Sequence, residues 1–177
     1  MLQVKDLNKS FKKHHVLKSI NLNLENGIYG LLGPNGAGKT TFLRCVLGLF
    51  PYTGTVNIGT DADSDNTIGY LPQKYGLYKD WTVKDALEYF AALKYIPKEQ
   101  TQAAIENALE LVNLSDSLNK KVGELSGGMI RRVGIAQSIL DNPPILLVDE
   151  PTAGLDPEER MRFKVLISKL KKDRIII

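Results

Sequence analysis

An α/β fold built on a parallel sheet is predicted by three features of the sequence. An apolar run, residues 28–32 (IYGLL), leads straight into the glycine-rich GPNGAGKTT of residues 33–41 and then into a helical pattern. A second apolar run, ILLV at 145–148, follows Pro143 and Pro144 and ends in two carboxylates, Asp149 and Glu150. Between the two runs, from Thr82 to about Leu140, only helical periodicity is visible.

The elements follow in order. Ile20, Leu22 and Leu24 alternate with Asn21 and Asn23, the period of a half-buried strand, and Asn26–Gly27 supplies a tight turn. Residues 28–32 then read as a buried central strand feeding into Gly33. From Lys39 a helix carries Leu43, Val46, Leu47 and Phe50 at the spacing of one face. Cys45, the single cysteine, lies on this helix as a small core residue, and no internal disulfide is possible. Residues 54–59 form a short strand, 61–66 (DADSDN) a polar loop, and 67–71 a strand stopped by Pro72. Three helices come next. Leu87, Phe90 and Ala91 mark the first, Ile105, Ala108, Leu109 and Val112 the second, and Val133, Ala136 and Leu140 the third. After the strand at 145–148, Asp156, Pro157, Glu158 and Glu159 make a helix start, with Lys169, Lys171 and Lys172 matching the dipole at its far end. A last strand begins at Arg174.

Composition narrows the functional classes. With 177 residues, 43% of them hydrophobic and 24% charged, the chain has the make-up of one globular unit with a sizeable core. A net charge of +3 is too small to indicate a nucleic-acid partner, and the basic runs at 12–13 and 169–172 are short enough to be solvated faces. No window approaches the ~20 consecutive apolar residues of a spanning helix. The N-terminus lacks a charged-then-apolar signal pattern, so a cytoplasmic location is expected.

Three motifs carry chemistry. Gly33, Pro34, Asn35, Gly36, Ala37, Gly38, Lys39, Thr40 and Thr41 satisfy the GxxxxGK[ST] pattern between a strand and a helix. The glycines let backbone N–H groups turn inward around phosphate oxygens. Lys39 then reaches the β- and γ-phosphates and the Thr40 hydroxyl ligates Mg²⁺. At the end of the second apolar strand, alternation sends Asp149 and Glu150 to different neighbours. Asp149 is suited to hold Mg²⁺ through water, and Glu150 to polarise an attacking water beside the γ-phosphate. The third motif is Leu125, Ser126, Gly127, Gly128 and Met129. A serine and two glycines before a helical pattern make a second anion-receptive helix N-terminus in one domain.

GPNGAGKTT, LSGGM, ILLVDEP and AGLD, in this order and spacing, make the chain resemble the nucleotide-binding domain of ABC (ATP-binding cassette) proteins, from the first strand to Ile177. The resemblance implies an α/β P-loop NTPase core with an antiparallel β subdomain and an inserted helical subdomain. It assigns 1–72 and 141–177 to the core and antiparallel part, 73–140 to the helical part, and all of 1–177 to one ABC ATPase domain. ATP and Mg²⁺ are the implied ligands. Phe11 stands where the family stacks an aromatic on adenine, and Val16 where it has an apolar base contact. Gln73, in YLPQ, matches the glutamine loop that contacts Mg²⁺ and the attacking water, which completes a catalytic set with Glu150 and Lys39. In the family the second glycine motif serves another chain: two copies pack head to tail, so that Ser126 and the amides of Gly127 and Gly128 close over the γ-phosphate bound at Lys39 of the other. Met129 replaces the commoner glutamine, which implies altered affinity rather than lost function. Asp156, in AGLD, matches the loop that crosses to the partner, and from the residues alone is equally an N-cap.

The implied partners are a second nucleotide-binding domain and a separate transmembrane permease subunit docked near Gln73 and residues 77–81. That places the chain peripherally on the inner face of the cell membrane. The text around LSGGMIRRVGIAQ looks most like bacterial exporter ATPases. The family also carries a histidine just after the strand that begins near Arg174. The chain ends before that position, and its two histidines, His14 and His15, read as exposed residues of a polar turn. A C-terminally incomplete, poorly active domain is therefore expected. A soluble ABC ATPase acting on DNA or ribosomes and a non-hydrolysing nucleotide-binding fragment are the alternatives; the coiled coil, zinc module or second cassette usual in the former is not visible.

Overall fold

The computed structural model describes residues 1–59, 68–152, 155–172 and 174–177. The polar loop expected at 61–66, Thr67, and the Ala153 and Gly154 of AGLD lie outside them. In chain order the elements are β1 (Leu2–Phe11), β2 (His14–Leu24), β3 (Gly27–Ile28), α1 (Lys39–Val46), β4 (Thr53–Ile58), β5 (Ile68–Leu71), α2 (Val83–Leu93), α3 (Lys98–Leu111), α4 (Gly127–Ser138), β6 (Ile145–Val148), α5 (Pro157–Leu170) and β7 (Ile175–Ile176). They form an antiparallel sheet in the order β2-β1-β4 and a parallel sheet in the order β3-β7-β6-β5.

The parallel sheet separates two apolar cores. Ile145 and Leu147 of β6, with Ile175 of β7, pack against Phe42, Leu43 and Val46 of α1 and against Leu2, Val4, Leu7 and Leu17 of the antiparallel sheet. Leu146 and Ile176 point the other way. They join Leu87 and Ala91 of α2, Ile105 and Leu109 of α3, Val133 and Ala136 of α4, and Leu166, Ile167 and Leu170 of α5. The period-two alternation of a strand buried on both faces thus divides its side chains between the layers.

β1 breaks that alternation, and its bulges explain why. Asp6 has φ 49° and Ser19, on β2, has φ 48°. The ladder register shifts between Val4 and Leu7, so Leu7 is buried like Val4 although it lies three positions further on. Side-chain amides replace the lost ladder partners: the Asp6 N–H donates to Asn21 Oδ1 at 2.9 Å and the Ser19 N–H to Asn8 Oδ1 at 2.8 Å.

Three expectations need correction. Residues 28–32 are not a buried central strand. Only Gly27 and Ile28 pair, at the edge of the parallel sheet, and Ile28 and Leu32 are 47% and 96% exposed. An edge position with one neighbouring strand leaves one side of the run without a partner among the described residues. His14 and His15 lie in β2 rather than in a turn, paired with Phe11 and Ser10, although both are exposed as expected. The helix from Lys39 stops at Val46, short of Leu47 and Phe50. There Gly48 turns to φ 72° and its N–H meets the Cys45 carbonyl at 2.9 Å. Cys45 itself is fully buried, and burial raises its thiol pKa above the ordinary value, against a smaller opposing effect of Lys9.

The α2 helix begins at a capping box. Thr82 Oγ1 accepts from the Asp85 N–H at 3.0 Å, and the Asp85 carboxylate accepts from the Thr82 N–H at 2.9 Å and from its hydroxyl at 2.6 Å. These bonds hold the Asp85 carboxyl below its usual range, through the Thr82 hydroxyl first and its backbone second. Replacing Thr82 by alanine should cost about 1 kcal/mol and lower Tm by a few degrees, about 2–4 °C for a chain of this size. Because Asp85 is lowered in the folded state, its contribution is present above the ordinary carboxylate range and lost as pH falls through the lowered value. Thermal melts at pH 7 and pH 3 check this. The Thr82→Ala deficit should be smaller in acid, and an equal deficit at both would mean that the carboxylate plays no part.

Candidate functional site

The glycine-rich loop is shaped by its backbone. Gly36 and Gly38 take φ 83° and 94°, a region that glycine enters at little cost. At Gly38 space is also short: a Cβ would lie 3.0 Å from Val16 Cγ1 and from Leu17 Cδ2. The loop therefore seats directly on β2. The α1 helix that follows has no side-chain cap and no acidic residue in its first turn, so its first N–H groups remain available to an anion. Lys39 Nζ donates to the carbonyls of Gly33 and Pro34, at 2.9 and 3.0 Å, and so lies folded along the loop.

Strand parity delivers the two carboxylates. Asp149 continues β6 on the side of Ile145 and Leu147, facing α1, where its Oδ1 accepts from the Thr40 hydroxyl at 2.8 Å. Only 6% of it is exposed. Tyr70 of β5, opposite Leu147, brings its hydroxyl 3.5 Å from Oδ2. Burial first, and then the Asp149 charge, raise the Tyr70 pKa above its ordinary value. Glu150 leaves the strand with φ 48° and is exposed; its Oε2 accepts from Gln73 Nε2 at 3.3 Å. The two adjacent carboxylates thus meet different partners.

Thr40 and Glu150, but not Asp149, Tyr70 or Gln73, line an open groove of about 340 Å³ together with Phe11, His14, Val16, Asn35, Gly36, Gly38, Lys39 and Thr41. Its size lies within the range of small-molecule sites. An exposed ring at one end and cationic and hydroxyl groups at the other match a molecule with a flat apolar head and an anionic tail. Thr40 Oγ1 and the Asp149 carboxylate are hard oxygen donors, which fit Mg²⁺. His14 was not anticipated here. It reaches the groove because the two-residue turn at Lys12 and Lys13 sets it opposite Phe11, and that turn, with φ 53° at Lys12, lacks the Asn-Gly or Asp-Gly signal of a tight hairpin.

The LSGGM residues stand elsewhere. Ser126 caps α4, its Oγ accepting from the Met129 N–H at 3.2 Å, and neither residue lines the groove. Gly127 opens on empty space, whereas a Cβ on Gly128 would lie 2.5 Å from the Glu159 carboxylate of α5, so a side chain at 128 would displace that carboxylate. Leu125 is buried beside them in the helical core. Asp156 caps α5, accepting from the Glu159 N–H at 2.8 Å.

The sequence profile of the ABC transporter family matches residues 17–153, which include the glycine loop, Gln73, the LSGGM segment and both carboxylates. The chain belongs to the ABC transporter family. Its relatives include the ABC transporter ATP-binding protein YxlF of Bacillus subtilis, 37% identical over all of this chain and 61% of the relative. The Nod factor export ATP-binding protein I of Burkholderia lata is 36% identical over 99% of the chain and 61% of the relative. The L-cystine import ATP-binding protein TcyN of B. subtilis is 39% identical over 89% of the chain and 67% of the relative. The chain thus spans about three fifths of the length of the first two. Among solved structures, cbiO1 of Clostridium perfringens, part of the ABC transporter complex cbiONQ, superposes with a TM-score of 0.85 at 28% identity, covering 99% of this chain and 76% of that one. The fold is accordingly the α/β P-loop NTPase fold with antiparallel and helical additions.

The Thr40 hydroxyl supplies the shortest bond to a buried carboxylate, so Thr40→Val should leave Asp149 short of a donor and cost about 1–3 kcal/mol without any ligand. Urea unfolding of the ligand-free protein measures it. An unchanged midpoint would show that the 2.8 Å bond contributes nothing to stability.

Proposed function

We propose that this chain is an ATP-binding and ATP-hydrolysing subunit of an ABC membrane transporter, and that it works as one half of a two-fold pair under a transmembrane permease subunit. The observation that supports this is that Lys39, Thr40 and Glu150 line one groove while Asp149 bonds to Thr40 and Gln73 to Glu150, which joins three distant stretches of sequence. In this reading, residues 1–72 and 141–177 form the core with its antiparallel sheet, 73–140 form the helical subdomain, and both belong to one ABC ATPase domain.

The chemistry follows from the positions of the groups. Phe11 stacks on adenine and Val16 touches its edge. Backbone N–H groups from Gly36 to Thr41 surround the phosphates, and Lys39 exchanges its loop carbonyls for β- and γ-phosphate oxygens. Thr40 and Asp149 hold Mg²⁺, which when bound neutralises charge on the phosphates. Glu150 takes a proton from a water that attacks the γ-phosphorus, while the bond to the β-phosphate oxygen breaks and ADP leaves. Gln73 holds the Glu150 carboxylate through its amide and joins it to the helices that follow. Ser126 and Gly127, both exposed, meet the γ-phosphate bound by the partner copy, and the loop ending at Asp156 crosses to that copy.

Tyr78, Trp81 and Tyr89 form an aromatic cluster, with centroids 4.9 Å and 5.3 Å apart, and Tyr78 is 63% exposed. We assign this cluster to the permease contact, which would hold the chain at the inner membrane face. No helix among the described residues is long and apolar enough to cross a membrane itself. Export is the direction we propose, on the likeness of the text around LSGGMIRRVGIAQ to bacterial exporter ATPases.

Two variants test the proposal. Lys39→Ala should weaken MgATP binding roughly tenfold to a hundredfold in calorimetry. Parent-like affinity would remove the groove assignment. Glu150→Gln should bind MgATP, lose turnover by about 10²–10⁴, and sediment as a dimer in excess MgATP. A variant that keeps hydrolysing would assign the proton transfer to another group, and one that stays monomeric would count against the pairing.

A further inference from the structure

Beside the Phe11 ring stands a set of groups that do not line the groove and that binding of phosphates does not require. Lys9, two residues earlier on β1, places its ammonium 4.7 Å from the Phe11 centroid and 5.6 Å from that of Phe50. The ammonium is fixed there by donating to the Pro51 carbonyl at 2.7 Å, in the connection between α1 and β4. Phe50 meets Phe11 edge to face, with centroids 5.4 Å apart and planes at 86°, and the Arg44 guanidinium lies 5.6 Å from the Phe50 centroid. Phe11 lines the groove; Lys9 and Phe50 do not. The residue is still 42% exposed, so the ammonium and Phe50 leave part of it open to a ligand.

We propose that Lys9 is a positioning residue for base recognition: its pinned ammonium, with Phe50, fixes the Phe11 ring and draws π density away from the open face on which a purine stacks. A lone phenylalanine at the end of a hairpin would lose rotamer freedom on stacking, and the buttress removes that cost beforehand. The ammonium is attracted to the ring quadrupole at this distance. A ring polarised by the ammonium presents a less negative face, which suits the electron-rich face of adenine. A merely structural role, tying β1 to Pro51, would affect the whole protein and every ligand alike.

The inference rests on the reading of the groove as an ATP site, and the ligands of the test separate the two. Calorimetry would compare MgATP with magnesium tripolyphosphate, which carries the anionic chain without a base, on the parent, Lys9→Met, Lys9→Gln, Lys9→Arg, Phe11→Ala and the double variant Lys9→Met/Phe11→Ala. Lys9→Met should weaken MgATP about threefold to fivefold, the measure of one exposed cation–ring contact, and leave tripolyphosphate within about twofold. Lys9→Gln, which keeps a donor for Pro51 but not the charge, should behave like Lys9→Met, and Lys9→Arg should retain most of the affinity. In the Phe11→Ala background, removing Lys9 should have no further effect. Equal losses for both ligands, an undiminished loss without Phe11, or no loss at all would overturn the inference. A parent that binds tripolyphosphate as well as MgATP would overturn it too, since the ring would then contribute nothing. A parent that binds neither would overturn the groove reading and this inference with it.

Discussion

The structure depends on β6 lying between two cores. Four residues, Ile145 to Val148, are packed on both faces, and their alternation is not free to slip, because a shift of one position would exchange the side chains of the two cores. The same alternation is inherited by the two residues that follow. Asp149 falls on the α1 side and meets Thr40, and Glu150 turns out of the strand toward Gln73. The site is therefore a continuation of the packing. Register in the core sets which carboxylate faces the glycine loop and which faces the groove.

The parallel arrangement also determines where α1 and the glycine loop can lie. α1 rests on the face of β6 that carries Ile145 and Leu147, which brings the hydroxyl of its second residue to the end of the strand. The loop that precedes α1 is held against β2 at Gly38, and so joins the parallel sheet to the antiparallel one. Through β2 and its hairpin to β1, the same contact carries Phe11 to the far end of the groove. Residues from β1, β2 and the start of α1 therefore line one groove, with Gly38 seated between them on Val16 and Leu17.

Much of this was legible in the sequence because it is local. A run such as ILLV between prolines and carboxylates can hardly be anything but a buried strand, and GPNGAGKTT between a strand and a helix has a geometry dictated by its glycines. Asp156 reads as an N-cap and is one. What was not legible is non-local. β1 escaped notice because the bulge at Asp6 changes its parity midway, so no period of two runs through it. Residues 28–32 looked like an interior strand because hydrophobicity reports what a segment prefers to touch, whereas its neighbours are decided by the order of strands in the sheet. The Lys9, Phe11 and Phe50 contacts join residues up to Phe50 across two sheet connections, and nothing in their spacing announces them. Glu159 against Gly128 is of the same kind: the approach of its carboxylate is made by α5 lying beside the start of α4, and nothing in the motif announces it.

The folded posture of Lys39 has a consequence for how the loop behaves before anything arrives. Its ammonium spans the carbonyls of Gly33 and Pro34, bridging the first turn of the loop from within. The Ala37 N–H also donates to the Pro34 carbonyl, at 3.2 Å. The lysine acts as a removable brace, a cation that tethers the two carbonyls at the start of the loop. An incoming anion then trades one set of oxygens for another around a charge that is already in place. Arrival resembles the substitution of a ligand more than the construction of a pocket, and the ordering of the loop belongs to folding instead of to binding.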